Sequence, residues 1–86
     1  MREIQPVLEL VELLLVYEWT AADLAFAQGC SVPTIKRRIA EARELGADIA
    51  AQKGASGWVY QLRNAEAVGP RVRQWLELER DGLAAN

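Results

Sequence analysis

The chain has 86 residues, of which 51% are apolar and 26% charged, with a formal net charge of −2. These values fit one small globular domain and exclude a disordered chain. They also exclude a membrane span, because the longest apolar run, Leu13 to Tyr17 between Glu12 and Glu18, falls far short of the ~20 residues a span needs.

The chemistry on offer is narrow. Histidine is absent and Cys30 is the single cysteine. An internal disulfide is therefore excluded, a zinc site would have one thiol and only carboxylates, and no Ser-His or Cys-His nucleophile can form. The carboxylate pairs Glu9/Glu12 and Glu77/Asp81 read as solvated helix faces, and Gly54-Ala55-Ser56-Gly57 lacks the lysine of a phosphate loop. No enzymatic activity, metal or cofactor is expected. Glu3, Glu9 and Glu12 near the N-terminus do not suit a secretory signal, so a reducing, cytoplasmic setting is expected.

In chain order, Ile4, Val7, Leu8, Val11, Leu14 and Leu15 recur at three- and four-residue steps, which predicts a helix from Arg2 or Pro6 to Glu18. Leu10 and Leu13 widen its apolar stripe, suggesting burial on two sides, by the domain and by a second subunit. Thr20 is an N-cap for a short helix from Ala21 to about Gln28, with Leu24 and Ala25 inward. Gly29 falls where that helix stops. Ser31 caps the next helix, Pro33 lies in its first turn, and Ile35, Ile39, Ala42 and Leu45 form its buried stripe up to Gly46. The runs 48–53 and 58–62 around Gly54–Gly57 predict a hairpin. Asn64 caps a last helix that Gly69-Pro70 divides or kinks and Gly82 stops, leaving 83–86 as a tail. Trp19, Trp58 and Trp75 are expected in the core or at an interface, and Cys30 inside the turn.

A short helix, a glycine turn and a second capped helix make a helix-turn-helix over 20–45. In that motif the N-terminal part of the second helix enters the major groove. Local charge agrees: 31–43 carries Lys36, Arg37, Arg38 and Arg43 against Glu41, whereas the first eighteen residues carry Arg2 against Glu3, Glu9, Glu12 and Glu18. Candidate DNA contacts are Ser31, Pro33, Thr34, Lys36, Arg37, Arg38 and Arg43, with Thr20 at the start of the motif and Gln52, Lys53 and Ser56 near the hairpin tip. Arg63, Arg71 and Arg73 form a smaller basic group that either extends the footprint or pairs with Glu66 and Glu77.

Thr20, Leu24-Ala25, Gly29-Cys30, Ser31, Thr34-Ile35, Arg37, Ile39, Leu45-Gly46, Ile49, Tyr60 and Leu62 stand in the order found in DeoR-type and related small regulators. Over roughly residues 7 to 62 the chain resembles the winged helix-turn-helix of that group. It departs from it at Lys36, where an aromatic is common, and at Arg38, where an aspartate is common; both changes make the second helix more positive. The resemblance implies a mainly α fold with a small β-hairpin wing: three helices, a wing at 48–62 and a C-terminal helix at 64–81, in one domain over 1–82. It implies sequence-specific binding of double-stranded DNA by a small transcriptional regulator, cytoplasmic and nucleoid-associated, in a bacterial or phage-infected cell. A homodimer through the terminal helices is expected; a small-molecule effector domain is not. The competing readings are a winged-helix protein-interaction module, which suits the acidity and the broad apolar first helix, and an architectural or recombination-directing factor of a phage or mobile element.

Overall fold

A computed structural model describes residues 4–55 and 57–84. Pro6 stands in the first turn of α1 (Gln5–Leu14), where its missing N–H leaves no bond unmade. Val7, Leu8, Leu10, Val11 and Leu14 of this helix are all buried. They point to more than one side because α1 is the central element, touching α2 (Ala21–Gln28), α3 (Val32–Glu44) and α4 (Ala65–Ala84). The two-sided burial anticipated for α1 is thus supplied within one chain, by α3 and α4. The core is wholly apolar: no polar or charged side chain among the described residues is buried. Leu8, Leu10, Leu24, Ile35, Ile39 and Leu76 form its centre.

Helix α1 ends at Leu14, one turn before the Glu18 expected from periodicity. The chain leaves the helix to reach a sheet edge. Trp19 exchanges two backbone hydrogen bonds with Tyr60, at 3.2 and 2.7 Å, and its indole Nε1–H donates to the Leu13 carbonyl at 3.0 Å. The same carbonyl also accepts from Val16 and Tyr17 N–H, so the indole adds a third bond at the end of the helix. Trp19 itself is half-buried and packs on the core.

Strands β1 (Ile49–Gly54) and β2 (Gly57–Leu62) pair antiparallel with Ile49 opposite Leu62 and Gly54 opposite Gly57. Pairing therefore runs up to the two glycines that were expected inside the loop. Ile49 and Leu62 anchor the hairpin base in the core, and exposure rises toward the tip. Trp58, near the tip, is 65% exposed, so of the two places expected for it, core or interface, it does not take the core.

Helix α4 continues through Gly69-Pro70 and Gly82 as one element of 20 residues. Neither predicted break occurs. Burial of Val68, Val72 and Leu76 against α1 outweighs the proline penalty of about 3 kcal/mol. Asn64 serves this helix through its backbone carbonyl, which accepts from Ala67 and Val68 N–H. Its side chain is engaged elsewhere: Oδ1 accepts from Asp48 N–H and Nδ2 donates to the Gly46 carbonyl, both at 2.9 Å. This clip ties the α3–β1 connection to the start of α4. Four helices and a two-stranded hairpin in this order are compatible with a winged-helix arrangement. No helix among the described residues is long and apolar enough to cross a membrane.

Candidate nucleic-acid interface

The turn between α2 and α3 is built from caps. Thr20 Oγ1 accepts from Asp23 N–H at 3.1 Å and starts α2. Gly29, at φ 64° and ψ 41°, ends it. Cys30 N–H reaches back to Ala25 O and Gly29 N–H to Phe26 O, the paired bonds of a Schellman motif. Two residues beyond the glycine, Ser31 Oγ accepts from Thr34 N–H at 3.3 Å and opens α3. It also lies 3.0 Å from Thr34 Oγ1. Thr20, Ser31 and Thr34 are thus all engaged in shaping the two helices. The same glycine ending recurs at α3, where Ala47 N–H bonds Ala42 O and Gly46 N–H bonds Arg43 O. Leu45, expected in the buried stripe, falls just past the helix and is 40% exposed.

The four cations of α3 divide into two pairs. Arg38 is half-buried, and its Nη1 donates to Gln28 Oε1 at 3.0 Å and to Cys30 Sγ at 3.4 Å. Gln28 in turn donates from Nε2 to Pro6 O at 2.8 Å. Arg38 therefore fastens α3 to the turn and, through Gln28, to the start of α1. Arg43 sends Nε and Nη2 to the Ile49 carbonyl at 3.1 and 2.8 Å, fixing the first residue of β1. Both guanidiniums thus make hydrogen bonds within the fold, Arg38 as a half-buried residue and Arg43 as an exposed one.

Lys36 and Arg37 face solvent. Together with Pro33, Ala40 and Glu44 they make the exposed stripe of α3, at positions that recur every three or four residues. Arg37 Nε lies 3.9 Å from Glu41 Oε1, with the arginine side chain 68% exposed. Such a long, solvated contact holds the side chain only weakly. Ala40, which sequence reasoning passed over, sits among these cations; its short side chain allows a close approach to α3 there. Its signal was its place, four residues after Lys36 and opposite Ile39 and Ala42.

On the hairpin, Gln52 Nε2 contacts Glu18 Oε1 at 3.3 Å, and Lys53 is exposed. Ser56 lies outside the described residues. Lys53 is the cross-strand partner of Trp58, so the two side chains share one face of the tip. The expected pairing of Arg63, Arg71 and Arg73 with Glu66 and Glu77 is not present among the described residues. Phe26, on α2, is 92% exposed and had no role assigned from sequence. No group of three or more metal-ligating side chains occurs among the described residues.

A scan against known protein families finds none whose model matches this chain, and a search of curated proteins finds no relative.

Proposed function

We propose that this chain is a winged helix-turn-helix protein of the DeoR-like kind that binds double-stranded DNA and regulates transcription. The observation that carries the reading is the outward stripe of α3. A capped helix, set by a glycine turn against a second helix, turns Lys36 and Arg37 with the small Pro33 and Ala40 to solvent. In this reading the stripe enters a major groove, with Lys36 and Arg37 as its base or phosphate contacts. Lys53 and the hairpin tip brace the flanking backbone. Arg38 and Arg43 hold the reading head in position without touching the duplex.

The test is a titration of random duplex at two salt concentrations with the parent chain and a Lys36→Ala/Arg37→Ala variant. Salt-sensitive binding that the variant loses supports the reading. Absence of binding at low salt, or binding indifferent to both substitutions, overturns it.

A second reading, protein docking, is favoured by one observation: Leu45, Trp75 and Leu78 are exposed near one another. It predicts a chain that leaves duplex DNA unbound at low salt.

A further inference from the structure

The outward stripe of α3 has a one-sided chemistry. Pro33, Lys36, Arg37 and Ala40 are exposed, whereas Ile35 and Ile39 on the other side of the helix are buried. Ala40 follows Lys36 by four residues and Arg37 by three, so it is the surface neighbour of both. Pro33 stands one turn before Arg37. Lysine and arginine side chains offer hydrogen-bond donors and no acceptor; proline and alanine side chains offer neither. The nearby acceptors are occupied or displaced. Ser31 Oγ accepts from Thr34 N–H and lies 3.0 Å from Thr34 Oγ1, so both hydroxyls serve the cap. Glu41 sits beside Arg37, with its side chain 22% exposed. Glu44 is the last residue of α3, one turn past Ala40.

We propose that this donor-only stripe selects keto bases, guanine and thymine, on the strand it faces. The inference rests on the reading of α3 as the helix that enters the major groove. There guanine presents two acceptors, N7 and O6, and thymine presents the O4 acceptor and a methyl group. Adenine and cytosine present amino groups, which need an acceptor on the protein. Lys36 and Arg37 match the acceptors of guanine and set donor against donor at an amino group. Ala40 and Pro33 offer small apolar surfaces to a thymine methyl. From residue 33 to residue 40 the helix advances about 10 Å, or about three base-pair steps of about 3.4 Å. The selected element is therefore short, about three adjacent base pairs.

The test is a selection from a pool of random duplexes on the full chain, followed by base analogues in a recovered site. The site should carry adjacent guanine and thymine on one strand. Replacing that guanine by 7-deazaguanine, which lacks N7, should weaken binding about tenfold. Replacing the thymine by uracil, which lacks only the methyl, should weaken it less. Lys36→Ala or Arg37→Ala should abolish the response to 7-deazaguanine, and Ala40→Gly the response to uracil. Circular dichroism establishes that the variants fold; where Ala40→Gly does not, the analogues on the parent chain decide alone. Salt-sensitive binding that yields no preferred site, or a site indifferent to both analogues, overturns this inference and leaves the proposed function standing. A parent chain that ignores every duplex at low salt overturns both.

Discussion

Arg38 and Gln28 form the joint on which the α2–α3 unit turns: Arg38 Nη1 donates to Gln28 Oε1 at 3.0 Å, and Gln28 passes the connection to the backbone of Pro6. One arginine in a basic triplet thus belongs to the scaffold, while its two neighbours belong to the surface.

The consequence is a separation of effects. Arg38→Ala should destabilise the fold by about 1–3 kcal/mol, because it removes charge-assisted bonds in a half-buried setting. Lys36→Ala and Arg37→Ala should each stay within about 0.5 kcal/mol of the parent. For duplex affinity the order reverses: the Lys36 and Arg37 variants lose binding, and Arg38→Ala retains most of it under conditions where it is folded. Urea unfolding beside fluorescence titration checks both halves.

Arg43→Gln should loosen the hairpin. The parent guanidinium makes two bonds to one carbonyl, at the residue where β1 leaves the core. Hydrogen exchange at β1 amides should accelerate more than exchange at α1 amides, where the core is unchanged. Equal acceleration everywhere would show that Arg43 acts only on global stability.

Two glycines, one in the turn after α2 and one inside α4, test different physics. At Gly29 a Cβ meets nothing within 4 Å, yet φ is +64°. Gly29→Ala should therefore cost about 1–2 kcal/mol from backbone strain alone. At Gly69 an added Cβ would lie 3.3 Å from Leu15 Cδ2, the far end of a flexible side chain. Replacing a mid-helix glycine by alanine ordinarily gains about 0.5–1 kcal/mol, but Gly69 precedes Pro70, whose ring crowds the Cβ of a helical residue before it and offsets that gain. Gly29→Ala should lower the melting temperature, and Gly69→Ala should not raise it.

On the proposed function, salt dependence gives the number of phosphates met. With Lys36, Arg37 and Lys53 as the outward cations, log K against log salt should fall with a slope of about −3 per chain in the duplex. Had Arg38 and Arg43 also met phosphate, the slope would approach about −5. Filter binding across a salt series distinguishes the two.

The sequence made α2 and its turn readable because caps are local. Thr20, Gly29 and Ser31 each act on backbone groups within five residues, so their roles survive without knowledge of the fold. The limits of α1 and α4 were not readable, since both are decided at a distance. Tyr60 draws Trp19 out of the helical path, and burial against α1 carries α4 across Pro70. Among the site residues, exposure of Lys36 and Arg37 followed from helical period once Ile35 and Ile39 were inward. The engagement of Arg38 and Arg43 did not, because Pro6, Gln28 and Ile49 reach them only when the chain has folded. A run of like charges shows where cations gather along the chain, but not which of them face outward.

The interior position of α1 has a bearing on how the chain is made. Its apolar residues are synthesised first, and Leu76, which helps enclose them, comes 62 residues after Leu14. At about 5–20 residues per second, a nascent chain holds Leu8, Leu10 and Leu14 without their final cover for several seconds. Over that interval α1 is an open amphipathic segment beside Glu9 and Glu12, whose charge disfavours aggregation with neighbouring nascent chains. Glu9 and Glu12 thus keep charge beside the apolar stripe of α1 until α4 can cover it.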